Sequence, residues 1–201
     1  MNLFGNLYFD TVGFKNIFQA VFIFFIMSGI LIWIFTFLYS KRQSGNRESR
    51  DKGSYLVLVL GFIAVIYLNP FCRRMFHILL PTPCFVVGLF LIIVGVILRA
   101  VSVWSLRKFF TLSVQMNSEQ KIVQNGIYKY IRHPAYSGSI LSLVGISLCF
   151  RSLTGLAGTI IIIFIIYGYR IKIEEKMLEN KFGMLYREYK KKTYKIIPFI
   201  F

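Results

Sequence analysis

Long apolar runs alternate with short polar stretches along most of the chain, a pattern typical of proteins that cross a membrane several times. Residues 17–39 contain no charge and residues 84–103 contain a single arginine, so each run predicts a transmembrane helix. The run between them, residues 55–68, ends at an Asn-Pro pair and predicts a short or tilted span that could extend past the proline. Because prolines interrupt helices, residues 69–83 are predicted to form a connector.

Two further apolar runs, residues 137–150 and 153–169, are separated by little more than Arg151 and Ser152. So short a link predicts a tight helical hairpin that returns the chain to the side from which it came. Residues 170–192 then combine many charges with apolar side chains at three- to four-residue spacing. This predicts an amphipathic helix that continues from the last span.

These elements predict an all-α integral membrane protein with about five transmembrane helices and a C-terminal amphipathic helix. The sequence has no Gly-rich signature between a strand and a helix, so no Rossmann domain is expected. Residues 1–201 form one predicted domain, in which 1–103 supply three spans and 104–201 supply a polar motif, the hairpin and the last helix.

The net charge of +16 accompanies a hydrophobic fraction of 56%. Because the basic residues flank apolar runs, membrane lipids are the expected partners and nucleic acid is not. Most basic residues fall on one side of the five-span topology, which predicts the N-terminus outside and the C-terminus inside. Arg99 is close enough to the end of its span to snorkel towards the headgroups. The three cysteines lack metal-binding spacing, so no metal site is predicted.

A polar string over residues 126–136, which contains an Arg-His-Pro sequence, lies between apolar segments. Ionisable side chains at a bilayer are costly and usually mark a functional site. On one continuous helix Arg170 and Glu174 share a face, and Glu175 is turned by about 100°. Since the hairpin returns the chain to the same membrane surface, the two polar clusters are predicted to meet there.

Together the two clusters would offer carboxylates, tyrosine rings, a histidine and arginines. That set suits a ligand that carries both positive and negative charge and an aromatic part. S-adenosylmethionine fits this description, as one candidate among several cationic ligands.

At these positions the chain resembles the membrane methyltransferases of the isoprenylcysteine carboxyl methyltransferase type, which are related to phospholipid methyltransferases. The resemblance covers roughly residues 110–201, and residues 1–100 contribute hydropathy alone. It rests on Ile122, Val123, Gly126, Tyr128, Arg132, His133, Pro134, Tyr136, Arg170, Glu174, Glu175, Leu178, Phe182, Gly183, Tyr186, Tyr189 and the closing Pro198, Phe199 and Ile200.

The resemblance implies S-adenosylmethionine as the cofactor and Arg170 and Glu174 as catalytic residues, with Arg170 facing the methyl acceptor. Where the family often has His, this chain has Gln120. Tyr186 and Tyr189 are expected to pack rather than to bind a ligand. The residues implied to bind the cofactor are Gln115, Gln120, Lys121, Ile122, Val123, Tyr128, His133, Pro134, Ala135, Tyr136 and Glu174.

The expected function is methyl transfer to a lipid-linked acceptor at the cytoplasmic membrane face, in particular carboxyl O-methylation of an isoprenylcysteine-like substrate. Such a carboxylate needs no general base, whereas a phospholipid amine would need one from His133, Glu174 or Glu175. N-methylation of a phospholipid amine is the alternative among enzymes. A non-catalytic membrane scaffold or a small transporter is the alternative outside them.

Overall fold

Six helices make up most of the computed structural model, which describes residues 5, 8–41, 48–49, 53–106, 115–116 and 122–196. The helices are α1 (Val12–Lys41), α2 (Ser54–Phe76), α3 (Pro83–Leu106), α4 (Pro134–Phe150), α5 (Leu153–Phe182) and α6 (Met184–Lys192), with a 3-10 turn at Gly126–Lys129. Two-residue strands, β1 (Glu48–Ser49) and β2 (Gln115–Met116), pair antiparallel. The predicted helical class is confirmed, with this short strand pair as an addition.

Within the described ranges, four helices (α1, α2, α3 and α5) are long and apolar enough to cross a membrane, so the chain is a multi-pass membrane protein. The fifth predicted span, α4, has 17 residues. That is about 25 Å of helix, less than the roughly 30 Å core of a bilayer. It is enclosed by protein, because α3, α5 and α2 all pack against it. A helix shielded from lipid in this way need not match the bilayer thickness.

Ion pairs and a helix cap hold one end of the bundle together. The turn between α4 and α5 at Arg151 marks the hairpin end, and residues 126–136 mark the motif end. At the hairpin end Asp10 lies 2.7 Å from the Arg73 guanidinium and also pairs with Arg151. Ser152 caps α5 with its hydroxyl oxygen. The predicted tight hairpin is confirmed, and ion pairs tie it to the N-terminal segment and to α2.

α2 continues through Asn69 and Pro70, where the apolar run ends, and reaches Phe76, so the span extends past the proline. The connector predicted over residues 69–83 is therefore wrong in its first half. The Asn69 side-chain amide donates to the backbone carbonyl one turn earlier at 2.9 Å and to Thr159 on α5 at 3.0 Å. In a membrane, a proline inside a helix is tolerated where side chains and neighbouring helices supply such hydrogen bonds.

Glycines bring the backbones of α3 and α4 into direct contact. A Cβ atom on Gly138 would lie 2.5 Å from the carbonyl oxygen of Gly95, and one on Gly145 would lie 2.6 Å from that of Gly88. The glycines recur two turns apart on both helices, so the helices meet without intervening side chains. This contact positions the first turn of α4, which carries the end of the polar string.

The last part of the chain is predicted as one helix to residue 192, but Gly183 divides it. This residue has a φ of 54°, in the left-handed region that glycine adopts without a Cβ clash. The prediction of a continuous helix is therefore wrong. The amphipathic character of α6 is confirmed, because Tyr186 and Tyr189 are buried while most of its charged residues are exposed.

Candidate active site

The polar string is held as an extended segment between the 3-10 turn and α4. Gly126 begins the turn with a φ of 59°, and Pro134 occupies the first turn of α4. Between them, the backbone N–H groups of Arg132 and His133 donate to the carbonyls of residues 194–195 at 2.8 and 3.1 Å. The segment that follows α6 therefore pairs with the string and fixes its path.

The string and α5 meet at Tyr136. Its hydroxyl donates to Glu174 Oε2 at 2.6 Å and accepts a hydrogen bond from Arg170 Nε at 3.0 Å. The meeting of the two clusters, predicted from the hairpin topology, is confirmed. The spacing of Arg170 and Glu174 along one helix face lets a single hydroxyl contact both side chains.

His133 lies between the two adjacent carboxylates of α5. Its Nδ1 is 3.8 Å from Glu174 Oε2 and its Nε2 is 3.4 Å from Glu175 Oε1. The ring stacks on Tyr136 with centroids 5.4 Å apart. With a side chain only 3% exposed, the imidazole is fixed by its surroundings on both nitrogens and on one face.

Sequence reasoning named Glu175 as an alternative general base and Arg132 as part of the resemblance, and it gave Lys190 no role in the site. The structure shows that the three side chains form the polar support of this site. Glu175 accepts hydrogen bonds from Arg132 Nε at 3.0 Å and lies 3.1 Å from the Lys190 ammonium. Arg132 also donates to the Lys190 carbonyl at 3.0 Å and to that of Thr193. The signal in the sequence was the pair of adjacent glutamates, whose side chains leave the helix about 100° apart.

The two glutamates differ in exposure. The side chain of Glu174 is 32% exposed, and that of Glu175 is 11% exposed and enclosed by cations. Arg170 is 2% exposed. Glu174 is therefore the carboxylate that a ligand can reach, whereas Glu175 holds Arg132, Lys190 and His133 in place.

Three buried tyrosines lie around the string. Tyr189 donates to the Tyr128 carbonyl at 2.6 Å, and the Tyr128 hydroxyl donates to the Ser102 carbonyl at 3.4 Å. Burial raises the pKa of Tyr189 to about 12 and also raises the pKa of Tyr128 and of Tyr186, so these phenols are protonated at neutral pH. Among the described residues, the buried Tyr186 hydroxyl finds no hydrogen-bond partner.

The remaining predicted cofactor residues occupy several places. Residues 134–135 are buried in the first turn of α4, and residues 122–123 are partly buried before the 3-10 turn. Gln115 lies in β2 opposite Ser49. Outside the described residues lie Gln120, Lys121 and the closing residues 198–200. No group of three metal-ligating side chains comes together in the part of the chain that the structure describes.

Several known proteins of similar sequence are isoprenylcysteine O-methyltransferases. A probable protein-S-isoprenylcysteine O-methyltransferase of Oryza sativa subsp. indica is 33% identical over 118 residues, 57% of this chain and 61% of the relative. Protein-S-isoprenylcysteine O-methyltransferase B of Arabidopsis thaliana is 29% identical over 147 residues, 72% of each chain. The Saccharomyces cerevisiae protein-S-isoprenylcysteine O-methyltransferase is 27% identical over 157 residues, 77% of this chain and 66% of the relative. These matches confirm the resemblance, although this chain spans less than two thirds of the rice relative.

The fold has a counterpart among solved structures. The eukaryotic intramembrane Ras methyltransferase, isoprenylcysteine carboxyl methyltransferase, is similar with a TM-score of 0.55 and 23% sequence identity. The similarity covers 76% of this chain and 55% of that chain. At this level of identity it shows a shared fold.

The sequence pattern described as phospholipid methyltransferase matches residues 83–184, which is half of the chain. The matched region begins with α3 and contains the polar string, the hairpin and the helix face that carries Arg170 and Glu174. The chain therefore belongs to the phospholipid methyltransferase family.

Proposed function

We propose that the protein transfers a methyl group from S-adenosylmethionine to the carboxylate of an isoprenylcysteine-like lipid acceptor at the cytoplasmic face of a membrane. The observation that carries the proposal is the Tyr136 hydroxyl, bonded to Arg170 at 3.0 Å and to Glu174 at 2.6 Å. It couples a buried cation suited to an anionic acceptor with an accessible carboxylate suited to a cationic cofactor. The names of the similar plant and yeast proteins support the same reaction.

The donor set of the site fits S-adenosylmethionine, which carries a sulfonium, an ammonium and a carboxylate together with an aromatic adenine. Glu174 presents a partly exposed carboxylate to the cationic groups. When bound, the cofactor supplies an electrophilic methyl group on a positively charged sulfur. Of the residues implied by the resemblance, Tyr128, His133, Tyr136 and Glu174 would hold it.

Arg170 is the residue that would bind the acceptor carboxylate. It is 2% exposed, and Tyr136 orients its guanidinium through Nε. Hydrogen bonds between a guanidinium and a carboxylate are about twice as strong as neutral ones, and they gain further where water is excluded. The guanidinium therefore places the acceptor oxygen close to Glu174 and to whatever cation Glu174 binds.

The proposed reaction requires the protein mainly to position the acceptor and the methyl donor. A carboxylate is already ionised at neutral pH, so the acceptor oxygen would need no general base to take the methyl group that the bound cofactor would supply. The products are a methyl ester and a neutral thioether, with the bonding electron pair left on sulfur. Arg170 orients the nucleophile, Glu174 orients the cationic donor, and the buried surroundings exclude water.

N-methylation of a phospholipid amine is the second candidate, and the family match over residues 83–184 favours it. An ammonium acceptor must first lose a proton. Glu174 would be the group that accepts it, since its side chain is 32% exposed and the buried His133 ring lies 3.8 Å behind it. An acceptor comparison separates the two candidates, because an ester is labile to alkali and a methylated amine is not.

Calorimetric binding of S-adenosylmethionine and S-adenosylhomocysteine to the purified, detergent-solubilised chain tests the site. We expect wild-type protein to bind both, and Glu174→Gln to lose at least tenfold in affinity with little change in melting in the absence of ligand. His133→Ala should also lose affinity but melt at a lower temperature, because it empties a buried position. Absence of binding by well-folded wild-type protein would contradict the cofactor assignment and favour a scaffold or a transporter.

A further inference from the structure

The segment that follows α6, residues 193–196, forms a strap across the polar string. The backbone N–H of Tyr194 donates to the Tyr130 carbonyl at 2.9 Å, and the Tyr194 carbonyl accepts from the Arg132 N–H at 2.8 Å. The hydroxyl of Ser137, in the first turn of α4, donates to the last carbonyl of the strap at 2.6 Å. One side of the strap is therefore bonded to the candidate active site.

Arg132 connects the strap to the end of α6. Its guanidinium donates to the carbonyl of Lys190 at 3.0 Å and to that of Thr193. These contacts satisfy carbonyls that the end of a helix leaves without intrahelical partners. The same guanidinium donates to Glu175 at 3.0 Å, and Glu175 lies 3.4 Å from His133 Nε2. The position of the strap and the positions of the Arg132 and His133 side chains therefore depend on each other.

The positive charge at the end of α6 is compensated only in part. Lys190 lies 3.1 Å from Glu175 and 2.9 Å from Glu179, so its charge has two partners. Lys191 and Lys192 follow it directly, are exposed, and pair with no carboxylate in the part of the chain that the structure describes. Like charges side by side repel each other, and a surface of opposite charge relieves that repulsion. The last turn of α6 therefore favours an anionic partner.

The string contributes a matching surface beside the strap. Lys129 is exposed, and its ammonium lies 5.7 Å from the centroid of the Tyr130 ring. Tyr130 is 59% exposed and Tyr194, to which its carbonyl is bonded, is 39% exposed. Tyrosine is enriched where a membrane meets water, because its ring is apolar and its hydroxyl is polar. The outer side of the strap thus combines cations with interfacial aromatic residues.

The depth of this surface in the bundle favours lipid headgroups over a soluble anion. Residues 153–169 of α5 carry no charge and would span about 25 Å, and Arg170 follows them. Glu175, beside which the Lys190 ammonium lies, is a further five residues or about 8 Å along the axis. The hydrocarbon core of a bilayer is about 30 Å thick, with headgroup regions of roughly 5–8 Å on each side. The end of α6 is therefore at the level of the headgroups.

We propose that the anionic headgroups of membrane lipids bind Lys191 and Lys192 and hold the strap on the polar string. Lys129 and the two exposed tyrosines complete the binding surface. Lipid bound in this way stabilises the hydrogen bonds that position Arg132 and His133. The step from an ordered string to tighter cofactor binding rests on the proposed function, whereas the binding of lipid and the ordering of the strap do not.

Amide hydrogen exchange of the full chain in nanodiscs tests the inference without any cofactor. The nanodiscs contain phosphatidylcholine alone or a mixture with phosphatidylglycerol. A lysine at an anionic surface gains about fivefold in binding, so we expect residues 130–133 and the strap to exchange at least fivefold more slowly in the mixture. The difference should shrink at high salt, which screens exposed charges.

Two variants show whether the lysines are responsible. The double variant Lys191→Gln, Lys192→Gln changes exposed side chains and should lose the difference between the two lipids. Arg74→Gln, which removes an exposed arginine near the hairpin end, should keep it. Equal exchange of wild-type protein in both lipids, or a difference that persists in the double variant, overturns the inference. Equal slowing by soluble glycerol phosphate in phosphatidylcholine nanodiscs would overturn the lipid as the partner.

Calorimetry with S-adenosylmethionine tests the link to the site separately. Wild-type protein should bind it several-fold more tightly than the double variant in the same anionic nanodiscs. The comparison within one lipid matters because an anionic surface also concentrates a cationic ligand. Equal affinity of the two proteins overturns the link between the lipid and the site. Exchange that follows the lipid in a protein that never binds S-adenosylmethionine contradicts the proposed function and leaves the binding of anionic lipid supported.

Discussion

The Tyr136 hydroxyl donates a 2.6 Å hydrogen bond to Glu174 across the interface between α4 and α5. The same oxygen accepts from Arg170 at 3.0 Å, so the phenol holds a cation and an anion that would otherwise pair directly. Arg170 is buried and Glu174 is partly exposed. Arg170 therefore lies in the interior of the bundle, and the Glu174 carboxylate is accessible from outside it.

Removal of that hydroxyl in Tyr136→Phe should weaken cofactor binding and slow methyl transfer. Hydrogen bonds to charged groups contribute about 1.5–3 kcal/mol, so we expect a loss of about 10- to 100-fold in kcat/KM. The phenyl ring keeps the stacking on His133. Tyr67→Phe, at a position that is 73% exposed, serves as the control. Wild-type kinetics in Tyr136→Phe would show that the bridge is structural.

Changing each of the adjacent glutamates to glutamine should affect different properties: protein stability at Glu175 and cofactor affinity at Glu174. Glu175→Gln removes the carboxylate that pairs with Arg132, while Lys190 keeps Glu179 at 2.9 Å. We expect the free energy of unfolding to fall by about 2–4 kcal/mol. Glu174→Gln should change it by less than about 1 kcal/mol, since that side chain is 32% exposed. Cofactor affinity should nevertheless fall at least tenfold in Glu174→Gln. Thermal melting and calorimetry on both variants check this, and equal effects on stability would contradict the division of roles.

The sequence predicts α2 and α5 correctly where the local hydropathy pattern determines the helix. It fails at helix ends that depend on contacts with distant residues. Hydropathy identifies the spans, and the two-residue link between the apolar runs identifies the hairpin. The continuation of α2 past Pro70 depends on a hydrogen bond from Asn69 to Thr159, ninety residues away. No local pattern contains that contact. The break at Gly183 had a visible signal in the glycine itself, but helical periodicity on both sides outweighed it.

The candidate site shows the same limit. The spacing of Arg170 and Glu174 and the hairpin topology suffice to predict that the two clusters meet. The distinction between Glu174 and Glu175 depends on Arg132 and Lys190. Arg132 belongs to the Arg-His-Pro motif, but the sequence does not show which glutamate it contacts, and Lys190 is one of many basic residues. Their roles become visible only when the end of α6 is placed beside the string.

The backbone contact between α3 and α4 should make Gly138 intolerant of substitution. In Gly138→Ala the new Cβ would lie 2.5 Å from the Gly95 carbonyl, and we expect a loss of about 1–3 kcal/mol in the free energy of unfolding. Gly168→Ala on α5 meets nothing within 4 Å. Alanine there should be neutral or stabilise by up to about 1 kcal/mol. Thermal melting in one detergent compares the two variants, and equal melting temperatures would contradict the close approach.

Tyr186 and Tyr189 allow a matched test of the buried phenols. Tyr189→Phe loses a 2.6 Å hydrogen bond to the Tyr128 carbonyl and should lower the free energy of unfolding by about 1 kcal/mol. Tyr186→Phe removes a buried hydroxyl for which the described residues provide no partner, so the ligand-free protein should be equally or more stable. Its cofactor affinity should be unchanged, since Tyr186 is 2% exposed and packs inside the protein. A loss of stability in Tyr186→Phe as large as that in Tyr189→Phe would contradict this difference.

The most direct test of the central claim is the transfer of a radiolabelled methyl group from S-adenosylmethionine to N-acetyl-S-farnesylcysteine by the reconstituted chain, with phosphatidylethanolamine as the competing acceptor. Carboxyl methylation predicts label that appears in the farnesylcysteine, is released as methanol by mild alkali, and is absent with Glu174→Gln. Alkali-stable label in the phospholipid, or no transfer by wild-type protein that binds the cofactor, would contradict carboxyl methylation at this site.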